Sequence, residues 1–111
     1  MKIHATQKGQ ATIVSIEGNI DALTADQVTS FLTKRIEIKV INLVVDLAQV
    51  DFMSSAGLRA ILTVLKESRK HGGDLRLAAA QPGVGKILKM SGFTNILKTY
   101  DIVDDAVNSF S

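Results

Sequence analysis

The eight residues Val40-Ile41-Asn42-Leu43-Val44-Val45-Asp46-Leu47 are apolar at all positions but two. A run this short and continuous reads as a strand buried on both sides, and such strands sit at the centre of a sheet beside a parallel neighbour. That requirement constrains the whole chain, because parallel strands need crossover connections and something to cover both faces. Directly after the run comes Asp51-Phe52-Met53-Ser54-Ser55-Ala56-Gly57-Leu58-Arg59. Leu58, Ile61, Leu62 and Leu65 then recur at helical spacing, with Arg59, Thr63, Lys66, Glu67 and Lys70 on the opposite face. Gly72-Gly73 marks the stop, and Arg69, Lys70 and His71 complement the negative end of the helix. Two serines therefore stand where a buried strand gives way to an amphipathic helix. The first turn of a helix presents unpaired N–H groups and the positive end of the macrodipole. A serine there is a good cap, and it is also a place where a phosphate is tolerated without melting the helix.

The flanking elements are short and closely spaced. Residues 2–7 and 11–17 are strands joined by a glycine-containing turn, Lys8-Gly9-Gln10. Gly18-Asn19-Ile20-Asp21 breaks the pattern, and Thr24 with Gln27 predicts a capping box, flanked by Leu23 and Val28 at the staple positions. Ala25, Val28, Phe31, Leu32 and Ile36 place a helix over about 25–36. Asp74–Ala79 is a further strand. Pro82 and Gly92 bracket a short helix over 83–91, residues 96–100 form a last short strand, and 102–110 carry a helical apolar stripe. The order ββαβαβα(β)α gives an α/β fold with right-handed crossovers. If strands 11–17 and 40–47 run parallel, Gly18–Asp21 and Gln49–Ser55 meet at the edge where such sheets gather function.

Length and composition narrow the function. The 111 residues make a single domain over 1–111 with room for a real core. The net charge of +2 comes from 13 dispersed basic residues against 11 acidic ones, and there are four phenylalanines and one tyrosine. Neither the charge nor the aromatic content suits nucleic acid, so direct DNA binding is not expected. Cysteine is absent, which excludes disulfides and thiolate chemistry and fits a cytoplasmic location. No signal peptide is visible, and no stretch approaches the ~20 apolar residues of a membrane span, so no membrane partner is expected.

Enzyme motifs are missing. Ser54-Ser55-Ala56-Gly57 lacks the nucleophile elbow of hydrolases, and neither His4 nor His71 has reason to approach Ser55. Gly83-Val84-Gly85-Lys86 lacks the spacing of a phosphate loop. No histidine–carboxylate spacing suggests a metal site, and no cofactor is implied. A small serine hydrolase acting through Ser55 is the remote alternative.

Gly18-Asn19-Ile20-Asp21, Val44-Val45-Asp46-Leu47, Asp51 to Leu58, Met90-Ser91-Gly92-Phe93 and the closing Tyr100-Asp101…Ala106, taken in order, resemble a STAS domain. More narrowly, they are similar to the stand-alone bacterial anti-sigma factor antagonists. The resemblance implies a mixed sheet of four to five strands with an N-terminal antiparallel hairpin and about four helices. It implies a protein that binds an anti-sigma factor, itself a serine kinase, and releases sigma factor until phosphorylation switches it off. A phosphatase acting on phosphoserine resets it. The family pattern Asp-Ser-Ser/Thr-Gly-Leu, aligned on Gly57-Leu58, puts the phosphoacceptor on Ser55. Ser54 replaces the family's aspartate and is a competing acceptor, while Ala56 replaces its second hydroxyl residue. Around Ser55, the expected partner-binding residues are Asp21, Phe52, Met53, Ser54, Ala56, Gly57 and Arg59. The alternative is a constitutive STAS interaction module of a transporter or signalling assembly, with no phosphate switch.

Overall fold

In the computed structural model, which describes residues 1–111, the apolar run forms the middle strand of a five-stranded sheet. In chain order the elements are β1 (Lys2–Lys8), β2 (Ala11–Glu17), α1 (Ala25–Glu37), β3 (Asn42–Gln49), α2 (Ser55–Lys70), β4 (Asp74–Ala78), α3 (Pro82–Met90), a 3-10 turn (Phe93–Asn95), β5 (Thr99–Tyr100) and α4 (Val103–Asn108). Spatial order follows chain order. The β1–β2 pair is antiparallel, and β2, β3, β4 and β5 run parallel. The expected mixed sheet with its N-terminal hairpin and four helices is thus what the chain builds.

The double-sided burial of β3 has two different sources. Leu43, Val45 and Leu47 point into the main core with Val28, Leu32 and Ile36 of α1, Ile61, Val64 and Leu65 of α2, and Val84 and Leu88 of α3. Val44, one residue out of phase, faces the other way and packs with Ala11, Ala78 and the α4 residues Ala106 and Val107. The three crossover helices share one face of the sheet, and the short C-terminal helix covers part of the other.

Several boundaries differ from expectation. The middle strand begins at Asn42 and not at Val40, because the N–H groups of Ile38 and Val40 both bond to the Arg35 carbonyl and keep the chain in a turn. The last strand contracts to Thr99–Tyr100, since Ile96 and Leu97 bond back to Phe93. The capping box does not form. The Thr24 hydroxyl accepts from Asp21 N–H at 3.0 Å and donates to the Asn19 carbonyl at 2.8 Å, so it closes the preceding loop instead of capping α1. The staple fails with it: Val28 is buried, but Leu23 is 93% exposed. The stop after α2 forms as expected. Gly72 takes φ +90, and a Cβ on Gly73 would lie 2.1 Å from the Ile41 carbonyl oxygen, so only glycine fits there. Arg69 leaves the last turn of α2 to donate to Asp74 at 2.9 Å and to the Ile96 carbonyl at 3.0 Å.

Candidate functional site

Because β2 and β3 run parallel, the loops that follow them leave the sheet on the same edge. The two loops are bonded to each other. Gly18 N–H donates to the Gln49 carbonyl, Ile20 N–H to that of Phe52, and Ser54 N–H to that of Ile20, each at 2.9 Å. Ile20 and Met53 pair as an isolated parallel bridge, and both side chains are buried. The edge is therefore an extension of the sheet, held before any partner arrives.

The helix that starts there is brought unusually close. A Cβ on Gly57 would lie 2.5 Å from the Ile20 carbonyl oxygen and 3.0 Å from Met53 Cγ. Gly57 thus serves the internal contact between α2 and the loop, and being buried it does not join the partner-facing surface expected of it. Met53 is corrected in the same way. At 1% exposure it belongs to the core, while Phe52, next to it in an extended segment, points out at 48%.

The serine pair divides its tasks. Ser54 is the N-cap, with extended backbone, and its Oγ accepts from Gly57 N–H at 3.3 Å. Ser55 is the first residue of α2 and is exposed. The first turn of α2 holds no acidic residue, so nothing in it opposes the positive end of the helix. Arg59 stands one turn further along and is also exposed. Asp21 lies half-buried across from this turn, and its Oδ1 accepts from Leu23 N–H at 2.9 Å. That turn holds Leu23 outward. Ala56 lines a groove of ≈ 350 Å³ between α1 and α2, together with Ala22, Ala25, Asp26 and Arg59.

Asp21, Phe52, Ser54, Ser55, Ala56 and Arg59 are brought to one edge as expected. Leu23 is the residue that the sequence pattern concealed, since its place before a helix matched a packing role. The signal that could have exposed it is Asp21, whose side chain favours a tight local turn. The sheet does not bring a histidine to Ser55. His71 follows the last turn of α2, sixteen residues on and about 24 Å away at the helical rise. His4 pairs with Ser15 on β2. Asp46 satisfies the Ala48 N–H at 3.0 Å.

A family model described as the STAS domain matches residues 2–106. The chain belongs to the STAS domain family. A Bordetella bronchiseptica protein, BtrV, named as a candidate anti-sigma factor antagonist, is 29% identical over 110 residues, which is 99% of this chain and 95% of that protein. The anti-sigma F factor antagonist of Paenibacillus polymyxa is 32% identical over 90 residues, 80% of this chain and 77% of that one. Solved structures named SpoIIAA share the fold. The unphosphorylated form has a TM-score of 0.82 at 17% identity, covering 98% of this chain and 96% of that one. A phosphorylated form from Bacillus has a TM-score of 0.74 at 15% identity, covering 99% of this chain and 100% of that one. No helix is long and apolar enough to cross a membrane.

Proposed function

We propose that this protein is an anti-sigma factor antagonist that acts by binding, and that phosphorylation of Ser55 switches it off. The observation that carries the reading is the position of Ser55. It is exposed at the start of α2, while the neighbouring Ser54 is occupied as the cap. The names of the relatives support the same class of partner. In this reading the partner is an anti-sigma factor with serine kinase activity, and a phosphatase restores the free serine.

The physical argument concerns the surface and leaves the fold alone. A phosphate on Ser55 adds about −1.5 to −2 charges at neutral pH. Within the protein those charges meet the unopposed positive end of α2, a favourable interaction of roughly 0.3–1 kcal/mol at an exposed site. Against an acidic or apolar partner surface the same charges cost desolvation and repulsion, and each ~1.4 kcal/mol changes affinity tenfold. The free protein stays folded and the complex dissociates. The edge is pre-tied by its hydrogen bonds, so no refolding is needed for either state.

Ser55→Asp is expected to weaken binding to the recombinant anti-sigma kinase about tenfold or more, with thermal stability retained. Ser55→Ala is expected to bind and to resist inactivation by the kinase and ATP. Equal affinity of Ser55→Asp and the parent chain, measured by calorimetry, would refute the switch. Phosphate found by mass spectrometry on Ser54 alone would move the site by one residue.

A further inference from the structure

The edge opposite Ser55 has its own character. The connections entering β3, β4 and β5 all lie there, because these strands are parallel. Those connections and the helix ends beside them carry Lys34, Lys39, Lys70, Lys89 and Lys98, all exposed. None of the five takes part in the chain's four ion pairs. The acidic residues nearest in the chain are Glu37, Glu67 and, at the far end of β5, Asp101. Asp74 is already matched by Arg69 and Arg76. The same edge exposes three large aliphatic side chains: Ile38 at 71%, Met90 at 77% and Ile96 at 43%. Lys39, at φ +71, closes the tight turn that leaves Ile38 outside the core.

Complementing the C-terminal ends of α1, α2 and α3 accounts for Lys34, Lys70 and Lys89. It does not account for Lys39 and Lys98, which lie in the connections, or for the three aliphatics. We infer that this edge docks on an anionic bilayer surface, the lysines facing lipid headgroups and Ile38, Met90 and Ile96 entering the interface. Charge complementarity selects an anionic partner, and the form of the edge selects lipid. The aliphatics are spread over two connections, Ile38 ahead of β3 and Met90 and Ile96 on the stretch ahead of β5, which a deformable surface accepts together, whereas a rigid protein face needs a matching pocket for each. Nucleic acid fits less well, since the projecting groups are aliphatic and offer bases nothing to stack on. The sequence-based expectation of no membrane partner rested on the lack of a spanning segment, and adsorption through loop tips needs none. Bound this way, the protein keeps the Ser55 edge turned away from the lipid and open to a protein partner.

The test is co-sedimentation of the purified chain with vesicles of phosphatidylcholine alone and of equal parts phosphatidylcholine and phosphatidylglycerol. Each basic residue near an anionic surface contributes about fivefold to partitioning. Binding is expected only to the mixed vesicles, falling steeply with added salt. The double variant Lys39→Glu/Lys98→Glu is expected to lose more than ~25-fold, with an unchanged melting curve as control, since both side chains are exposed and unpaired. Ile38→Ser/Met90→Ser is expected to weaken the same binding while leaving its salt dependence intact. Absence of sedimentation with the mixed vesicles, equal binding to both compositions, or full binding by the double lysine variant would overturn the inference. Binding of a labelled DNA duplex in place of the vesicles, lost in the same lysine variant, would reassign the edge to nucleic acid and overturn it too. Ser55→Asp binding vesicles like the parent chain is expected, so this result stands or falls apart from the proposed switch.

Discussion

Gly57→Ala sets two opposing effects against each other at the point where the site is built. Alanine in a helix is favoured over glycine by up to about 1 kcal/mol. At this position the added Cβ would lie 2.5 Å from the Ile20 carbonyl oxygen, 2.9 Å from Ile20 Cγ2 and 3.0 Å from Met53 Cγ. The nearest atom is backbone, and its peptide is held on both sides, its carbonyl accepting from Ser54 N–H and its Asp21 N–H donating to the Thr24 hydroxyl. Relief therefore means lifting the start of α2 off the loop or stretching those bonds. Overpacking of this kind costs about 1–3 kcal/mol, and the helix gain offsets only part of it. The expected net loss is about 1–2 kcal/mol, a fall in melting temperature of roughly 5–10 °C for a domain of this size. Gly85→Ala is the matched control. It also lies within a helix, but no atom stands within 4 Å of its added Cβ. There the same substitution is expected to stabilise by up to about 1 kcal/mol. Urea and thermal unfolding followed by circular dichroism measure both. A Gly57→Ala protein as stable as the parent chain, or shifted in the same direction as Gly85→Ala, would refute the claim that close backbone approach fixes this glycine.

The neighbours Met53 and Phe52 should separate sharply. Met53→Ala is expected to cost about 2–5 kcal/mol, and the half-exposed Phe52→Ala only about 0.5 kcal/mol, read as urea midpoints at constant slope. Ser54→Ala removes a long cap bond of 3.3 Å, so its cost should fall near 0.5 kcal/mol, the lower end of the usual range, with faster amide exchange at Gly57 as the local readout. Asp74 is poised by opposing effects: burial raises its carboxyl, and the hydrogen bonds from Arg69 and Arg76, the Arg69 charge and the Leu75 N–H outweigh that and hold it below the ordinary aspartate value. A depressed carboxylate contributes stability that is present above the unfolded value and lost as pH falls through the folded one. Asp74→Asn is thus expected to cost about 1–2 kcal/mol near neutral pH, mainly through the well-buried Arg76 because Arg69 is half-exposed and screened. The difference from the parent chain should shrink below about pH 4, and a difference that grows with acid would contradict the sign.

The sequence by itself determined what depends on neighbours along the chain. The apolar run Leu43–Leu47, broken only by Asp46, demanded a central parallel strand, and the stripe Leu58, Ile61, Leu62 and Leu65 demanded a helix with one buried face. Pro82 and Gly92 bounded α3 because one fixes φ at a helix start and the other takes φ +80 after its end. Ser55 was legible as a helix-start serine for the same local reason. Only the tertiary structure decided which side of each loop faces water. Leu23 carries a residue type that local pattern assigns to packing, yet the Thr24 hydroxyl accepts from Asp21 N–H and the Asp21 carboxylate from Leu23 N–H, and the turn so formed leaves Leu23 outward. Met53 and Gly57 sit within the serine motif and looked available, but the Ile20 strand, more than thirty residues earlier, lies against both and closes them off. Periodicity records what a residue needs from its own helix or strand. Exposure at an edge depends on what another loop brings to it, and that information lies in the register of β2 against β3.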